Sequence, residues 1–271
     1  MERVKRVALV NRKGGVGKTT SLFSLAGVLA GENDKKVFVI DLDAQINTTT
    51  TMLMNVADEE KPKKSIMDIL RGAAVEEALG SPIWQPRGKR DYVKYDVDVI
   101  CGDPFIDAVD GLVSISEDKL AAAGERINEY INTHGYDWVL VDMPPSSKAI
   151  NDFCFKYIAD YMLVPFSPDS YSASGYSQLM RDLSDAQKVN PKARIIGAFL
   201  AKKDSRFGLH NAVDEELQKL DYYICDVPYE AAVAESTYFG RPVCLYKSRA
   251  KGSKSYRKIA KVIDERIRKD N

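Results

Sequence analysis

One stretch near the start of the chain constrains the fold more than any other: Val7-Ala-Leu-Val-Asn-Arg-Lys-Gly-Gly-Val-Gly-Lys-Thr-Thr20. An apolar, β-prone run ends at Asn11, and a loop with three glycines follows. An amphipathic pattern rich in Ala and Leu, from Ser21 to Ala30, then predicts a helix. The order of strand, glycine-rich loop, lysine, threonine and helix is that of a phosphate-binding loop. The sequence therefore predicts a nucleotide-binding loop between the first strand and the first helix.

The residue types in this loop suit the chemistry of phosphate binding. Gly14, Gly15 and Gly17 permit backbone conformations that a β-carbon forbids, so consecutive N–H groups can point at phosphate oxygens. The helix that follows adds the partial positive charge and the unpaired N–H groups of its N-terminus. Lys18 is placed to reach the β- and γ-phosphates, and the Thr19 hydroxyl is placed to ligate Mg²⁺.

The loop departs from the strict phosphate-loop pattern at its start, where Arg12 replaces the first glycine and a second lysine, Lys13, follows. This form resembles the deviant Walker A motif of the ParA/MinD family, which also includes the nitrogenase iron protein. The resemblance implies a Mg²⁺-dependent ATPase in which Lys13 reaches across a dimer interface to the partner subunit's nucleotide. Lys13 and Lys18 are then both catalytic residues. The nucleotide-binding residues of the loop are Lys13, Gly14, Gly15, Val16, Gly17, Lys18, Thr19 and Thr20.

Two further predicted strands end in acidic residues. The segment 36–45 leads to Asp41 and Asp43, and the segment 136–147 contains four apolar residues followed by Asp142. Open α/β sheets bind ligands at the carboxyl ends of their parallel strands. An apolar strand ending in aspartate is the Walker B form, whose carboxylate holds a Mg²⁺-bound water. One or both of Asp41 and Asp43, which would share a face if the strand persisted, are placed to address the same region.

The ParA/MinD resemblance gives these acids separate roles. The segment after the second strand is similar to the family's switch I region, which implies that Asp43 positions or activates the attacking water. Asp41 would assist through Mg²⁺ or its waters. Met143-Pro-Pro-Ser146 resembles the switch II loop that senses the γ-phosphate. The implied metal residues are Thr19, Asp41 and Asp142.

The match is incomplete where the family contacts the nucleotide base. Family members usually carry a base-contacting asparagine at the end of the strand that begins at Arg194, but Ala201-Lys-Lys-Asp204 stands here. The resemblance places Pro228, at the end of the last predicted strand, and residues 229–235 beside the base. A preference for adenine therefore follows from family membership and not from a matched residue.

The C-terminal third is similar to the plasmid and chromosome partition ATPases of the Soj/ParA branch, from Glu235 to Tyr246 and from Ser248 to Lys261. Basic residues cluster at 247–261, although the 39 basic and 39 acidic residues of the whole chain balance. Non-specific DNA binding needs such a local patch. The arginines that the family carries after the last strand are replaced by Tyr229-Glu-Ala-Ala232. The predicted DNA-binding residues are Arg206, which matches a basic residue of the family, and Lys247, Arg249, Lys251 and Lys254.

The alternation of strands and helices predicts an α/β fold, a mostly parallel twisted sheet with helices on both faces, as a single P-loop NTPase domain over residues 1–271. The first strand begins too early for a signal peptide, and no apolar run approaches the roughly 20 residues that span a bilayer. We therefore expect a cytoplasmic protein without stable membrane association. The family resemblance implies that the ATP-bound form is associated with the nucleoid.

The leading hypothesis is a DNA-partition ATPase that forms a homodimer with ATP, binds DNA non-specifically and is reset by hydrolysis with the help of a ParB-like partner protein. The alternative is a MinD-like or protein-cargo positioning ATPase that does not use DNA. A membrane-binding helix needs a broad apolar face, whereas Ile259, Val262, Ile263 and Ile267 form a narrow stripe. A redox ATPase is set aside because Cys101 and Cys154 lack the context of cluster ligands.

Overall fold

A mostly parallel sheet forms the centre of the computed structural model, which describes residues 3–110, 115–168 and 173–270. The strands in these ranges are β1 (Lys5–Leu9), β2 (Val37–Asp41), β3 (Leu79–Gly80), β4 (Ile83–Trp84), β5 (Val93–Lys94), β6 (Val97–Ile100), β7 (Trp138–Asp142), β8 (Tyr161–Phe166), β9 (Arg194–Lys203) and β10 (Tyr223–Pro228). The main sheet has the order β10-β9-β8-β1-β7-β2-β6-β3, and β4 pairs with β5 separately. Only β3 is antiparallel to its neighbour among the described strands of the main sheet.

Helices follow most of these strands along the chain. They are α1 (Lys18–Asn33), α2 (Asn47–Met52), α3 (Ile66–Leu70), α4 (Glu117–Thr133), α5 (Lys148–Phe153), α6 (Ala173–Ala186), α7 (Gly208–Leu217), α8 (Ala231–Tyr238), α9 (Val243–Tyr246) and α10 (Lys251–Asp270). A π-helical turn, Cys154–Ile158, continues α5. The remaining helical segments are short 3₁₀ turns at Asp58–Glu60, Val75–Ala78 and Ile106–Asp110.

Both faces of the sheet are covered, as the alternation along β1 shows. Val7 and Leu9 belong to a core that includes α1, α9 and α10, whereas Ala8 and Val10 belong to a second core with α3, α4, α5 and α6. Successive side chains of a strand point to opposite faces, so the apolar part of β1 from Val7 onward must lie between two helical layers. The predicted fold class is confirmed.

Helix α1 differs from the amphipathic pattern predicted for it, because every residue from Ser21 to Ala30 is buried. One side of α1 packs on the sheet, and the small residues on its other side are covered by α9 and α10. The Ser21 and Tyr256 hydroxyls are 3.1 Å apart, and a Cβ on Gly31 would lie 3.2 Å from Leu245. The small residues therefore mark close helix packing rather than a solvated face.

Pro242 and Cys244 pack so closely against Gly27 of α1 that a larger residue at this position is predicted to destabilise the protein. A Cβ at this position would lie 2.1 Å from Cβ of Pro242 and 3.2 Å from Sγ of Cys244. Gly27→Ala is expected to lower the free energy of unfolding by about 1–3 kcal/mol, because overpacking outweighs the helix propensity of alanine. Urea unfolding measures the change. The control is Gly208→Ala, where nothing lies within 4 Å of the added Cβ, and an equal result for both variants would contradict the packing.

The C-terminal helix packs its apolar stripe into the protein. Ile259, Ile263 and Ile267 have no exposed surface and lie in the core that contains α1. The stripe that a MinD-like membrane helix would need is therefore used for packing. Across the ranges that the structure describes, no helix combines the length and the apolar character needed to cross a membrane.

Candidate active site

The loop between β1 and α1 closes around the ammonium group of Lys18. Its Nζ donates to the backbone oxygens of Asn11 at 3.1 Å and Lys13 at 3.4 Å. The side chain is 5% exposed, and this burial lowers the pKa of Lys18, while Asp142 and Asp43 act in the opposite direction. The loop thus holds a buried cation beside two carboxylates, at the N-terminus of a helix, which is a site suited to a phosphate group.

Two of the three loop glycines have backbone conformations that residues with a side chain rarely adopt. Gly15 has φ +74° and Gly17 has φ +93°, in the left-handed region that favours glycine. Gly14 does not lie in that region, so its backbone does not use the freedom that the sequence analysis assigned to all three glycines. A Cβ on Gly14 would meet nothing within 4 Å. The open space beside Gly14 leaves its backbone accessible to a ligand.

The carboxyl end of β7 contains a polar corner around Asp142. The hydroxyls of Thr19 and Thr48 each donate to Oδ2 of Asp142 at 2.7 Å. Oδ1 of this fully buried carboxylate has no hydrogen-bond partner in the described residues. A buried acceptor without a donor is costly, and a Mg²⁺-bound water would satisfy it. The residues at this corner therefore fit the predicted metal site at Thr19 and Asp142.

Asp41 is the neighbour of Asp142 in the register of β2 and β7. Its Oδ2 accepts from the backbone N and the hydroxyl of Thr49, both at 2.8 Å, and its Oδ1 accepts from the backbone N of Asp43 at 3.2 Å. Burial and the charge of Asp142 raise the pKa of Asp41. Two buried carboxylates at adjacent strand ends repel each other, so this corner favours a cation.

Helix α2 contributes two site residues that the sequence analysis missed. Thr48 contacts Asp142 and Thr49 contacts Asp41, and the Thr49 hydroxyl also accepts from the backbone N of Gly102 at 2.8 Å. The available signal was the run of threonines after Asp43, whose consecutive hydroxyls reach two adjacent strand ends once the run is helical. The run looked like an unassigned polar segment because its partners lie in other strands.

Asp43 lies beyond the end of β2, since the strand stops at Asp41. The condition for Asp41 and Asp43 to share a strand face is therefore not met. Oδ1 of Asp43 accepts from the backbone N of Gln45 at 2.9 Å, and its charge affects the pKa of Lys18 and of Asp142. Asp43 is thus near both the phosphate loop and the metal corner, and its role with the attacking water stays a prediction.

A cavity of about 360 Å³ adjoins the phosphate loop on the side of β9 and β10. Gly17 and Thr20 line it from the loop, and Pro228 lies on the opposite wall. Lys202, in a left-handed conformation at φ +59°, donates from Nζ to the backbone oxygen of Gly15 at 2.6 Å. The structure therefore brings Pro228 to the loop, at a cavity within the size range of small-ligand sites. The contact of Pro228 with a base stays a prediction.

The start of the loop is tied to the rest of the fold. The Asn11 side chain accepts from the backbone N of Lys13 at 2.9 Å and donates to the backbone oxygen of Pro165 at 2.8 Å. Nη1 of Arg12 is 2.8 Å from Oδ2 of Asp182. Lys13 is exposed at the edge of the site. Its reach into a partner subunit stays a prediction.

The predicted DNA-binding residues are not electrostatically equivalent. Arg206 is exposed, but its guanidinium donates to both carboxylate oxygens of Asp204. Lys247 pairs with Glu235 at 2.9 Å. Three others are exposed and have no ion-pair partner within residues 3–110, 115–168 and 173–270, namely Arg249, Lys251 and Lys254. Among the predicted DNA-binding residues, the positive charge without an ion-pair partner in the described residues therefore lies at and just before the start of α10.

The parallel sheet, the loop around Lys18 and the corner at Asp142 together define a P-loop ATPase. Residues 4–196 match the sequence family AAA_31, described as an AAA domain, so the chain belongs to that family.

Several known proteins of similar sequence are chromosome-partitioning proteins. It is 27% identical to the chromosome-partitioning ATPase Soj of Thermus thermophilus, over 98% of this chain and 97% of the relative. It is 29% identical to the chromosome partitioning protein ParA of Caulobacter vibrioides, over 97% and 94%. The resemblance to ParA/Soj-type partition ATPases is confirmed.

Solved structures share the fold at lower identity. Cobyrinic acid a,c-diamide synthase from Mycobacterium smegmatis, with bound ADP and magnesium, has a TM-score of 0.74 at 20% identity and covers 99% of this chain and 97% of its own. A plasmid partition protein from Borrelia burgdorferi has a TM-score of 0.70 at 18% identity, with 97% and 99% covered. Proteins with different functions thus share this architecture, so the function has to be argued from the site.

Proposed function

We propose that this chain is a DNA-partition ATPase that uses Mg²⁺-ATP, forms a homodimer with ATP and binds DNA non-specifically in that form. One observation carries the use of Mg²⁺-ATP: the loop that begins with Lys13 lies beside a corner where Thr19 and Thr48 hold one oxygen of Asp142 and leave the other without a donor in the described residues. Similarity to partition ATPases over nearly the whole chain supports the same function.

The loop residues bind and orient the triphosphate. Lys18 would exchange its two backbone carbonyl partners for phosphate oxygens, whose negative charge relieves the cost of a buried ammonium group. Thr19 and Asp142 would hold Mg²⁺, which when bound neutralises charge on the phosphates. Thr48, which lies in α2, donates to the Asp142 carboxylate and fixes its orientation.

Hydrolysis needs a water in line with the γ-phosphorus. Asp43, half-buried near Lys18 and Asp142, would position this water. The new bond joins the water oxygen to phosphorus, and the bond to the ADP oxygen breaks. Loss of the γ-phosphate removes the contacts that ATP makes with both subunits, so the dimer is reset to monomers. A ParB-like partner protein would stimulate this step.

The DNA surface of the dimer would be centred on the start of α10. Arg249, Lys251 and Lys254 have exposed charges without an ion-pair partner in the described part of the chain. When side chains of this kind neutralise DNA phosphates, the counterions condensed on the DNA are released, which favours binding at low salt. Arg206 and Lys247 contribute less, because Asp204 and Glu235 already compensate their charges.

This difference gives a test of DNA binding. Lys251→Ala combined with Lys254→Ala is expected to weaken ATP-dependent binding to random duplex DNA and to lower the slope of log K against log salt by about 2. Arg206→Ala combined with Lys247→Ala carries the same change of formal charge and is the matched control, with a smaller expected effect. Fluorescence anisotropy with ATP, with ADP and without nucleotide at several salt concentrations measures both. Binding that is independent of nucleotide, or equal losses in both double variants, would contradict the assignment.

A protein cargo is the second candidate. Its support is the set of large apolar side chains exposed near Arg206: Phe207 is 56% exposed, Leu209 60% and Tyr229 71%. In the DNA experiment, an ATP-dependent dimer that ignores DNA at low salt would favour this candidate. Phe207→Ser and Tyr229→Ser would then impair cargo positioning without changing ATP hydrolysis.

A further inference from the structure

A second polar cavity, of about 350 Å³, lies at the N-terminal end of β1, whereas the phosphate loop follows the C-terminal end of this strand. Its walls come from the start of β1, from α4, from the π-helical turn and from Val189 and Asn190 after the end of α6. Arg6 in β1 precedes Asn11 of the loop by five residues, a separation of about 16 Å at roughly 3.3 Å per residue of strand. The cavity is therefore separate from the proposed ATP site.

The guanidinium of Arg6 is the central group of this cavity. Its Nη1 donates to Oδ1 of Asn128, and its Nη2 donates to Oδ1 of Asn132 at 3.1 Å. Burial lowers the pKa of Arg6, with Asp160 acting in the opposite direction. No carboxylate forms an ion pair with Arg6 within the described residues. A desolvated arginine held by two neutral amides keeps its positive charge and several of its five N–H donors for a further partner.

The other charged groups of the cavity already have partners. Nη2 of Arg3 is 3.0 Å from Oδ2 of Asp160, and Nζ of Lys156 is 2.9 Å from Oε1 of Glu117. Asp160 is thus the acid that lines the cavity, and its carboxylate is already paired with Arg3. What remains is the charge of Arg6, together with polar walls in which neutral side chains such as Asn132 and Asn190 are prominent.

The backbone around the cavity is also unusual. Lys156, Tyr157 and Ile158 of the wall belong to the π-helical turn Cys154–Ile158. Such turns occur frequently at functional sites, because the widened helix exposes or redirects groups. The side chain of Asn128 donates to the backbone oxygen of Tyr157 at 2.8 Å, so the amide that holds Arg6 also holds this turn.

We propose that this cavity binds a small oxyanion, either phosphate or carboxylate, through the guanidinium of Arg6. The planar guanidinium presents paired N–H donors that match two oxygens of such a group. The cavity lies within the size range of small-ligand sites. The bound anion would join β1, α4 and the π-helical turn and would stabilise the folded protein as its concentration rises.

Thermal unfolding of the whole protein tests the proposal. Inorganic phosphate and succinate are titrated separately at constant ionic strength, with chloride as the balancing anion and saturating Mg²⁺-ADP to occupy the phosphate loop. The melting temperature is expected to rise with one or both anions, and the response identifies the phosphate or the carboxylate ligand. Arg6→Gln is expected to weaken binding of the anion about tenfold or more, which is the effect of losing a charged hydrogen-bond donor. Arg181→Gln, an exposed arginine on α6, is the matched control and should respond like the unmodified protein.

A second variant keeps the test decisive if Arg6→Gln fails to fold. Asn132→Asp is nearly isosteric and places a carboxylate against Nη2 of Arg6, so it supplies the anion within the chain. It is expected to raise the melting temperature without added anion and to remove the response to phosphate and succinate. No response in the unmodified protein beyond that to chloride, or an unchanged response in Asn132→Asp, would overturn the proposal.

Discussion

Lys18→Met is expected to abolish ATP hydrolysis, with kcat falling by at least about a hundredfold, the typical loss on removing one preorganised charge-stabilising group. The reason is the position of the ammonium group, which is enclosed by the loop carbonyls of Asn11 and Lys13 beside Asp142. Methionine keeps the length of the side chain but supplies no charge to the phosphates. Phosphate release under saturating ATP measures the change.

The same substitution is expected to leave the nucleotide-free protein as stable as before or more stable. Lys18 is 5% exposed, and its burial disfavours the charged form, so the folded protein gains little from this cation until a phosphate is bound. The melting temperature with ATP should therefore lose its nucleotide-dependent rise. Lys188→Met, on an exposed lysine, is the control and should keep full activity. Normal turnover in Lys18→Met would refute the assignment of the loop.

Asp43→Ala is expected to reduce hydrolysis by about a hundredfold or more while ATP binding is retained, the loss typical of a group that acts on the reacting water. Asp43 lies on the loop after β2, within electrostatic reach of Lys18 and Asp142, and its carboxylate accepts from the backbone N of Gln45. Since Thr19 and Asp142 remain in place, the nucleotide should still bind. Single-turnover hydrolysis and nucleotide titration measure the two properties separately.

Under the proposed function, this variant should accumulate as an ATP-bound dimer. Light scattering with ATP is expected to show a dimer in Asp43→Ala that persists, whereas the unmodified protein returns to monomer as ATP is consumed. Asp107→Ala is a suitable control, because partial desolvation and then the charge of Asp43 raise the pKa of Asp107, yet this surface residue has no proposed catalytic role. Equal loss of turnover in both variants would indicate a general electrostatic effect.

The phosphate loop could be predicted because its determinants are local. Gly15 and Gly17 act through their own backbone conformations, and Lys18 donates to carbonyl groups of the same loop. The fold class could be predicted for a similar reason, since strands such as β2 and β7 are buried and apolar on both faces up to the aspartate at their ends. Both predictions therefore depend only on short, continuous stretches of the sequence.

Other features depend on partners that are distant in the sequence. Thr48 has meaning only when β7 brings Asp142 to it, and the buried small side of α1 has meaning only when α9 and α10 cover it. The basic cluster shows the same limit. In the sequence alone, Lys247 and Lys251 are equivalent cations of one cluster. The fold pairs Lys247 with Glu235 and leaves Lys251 without such a partner in the described residues.

The central position of β1 has a consequence for protein synthesis. Among the described strands it comes first in the chain, but it pairs with β7, from Lys5 to Trp138, and with β8, from Val7 to Tyr161. On the ribosome, the strand that carries the phosphate loop therefore has no neighbour in the sheet until more than half of the described chain has emerged. Pairing at such separations is slow, because the long loop must be closed first. Nucleotide binding is thus acquired late, and a nascent chain cannot use ATP to guide its own early folding.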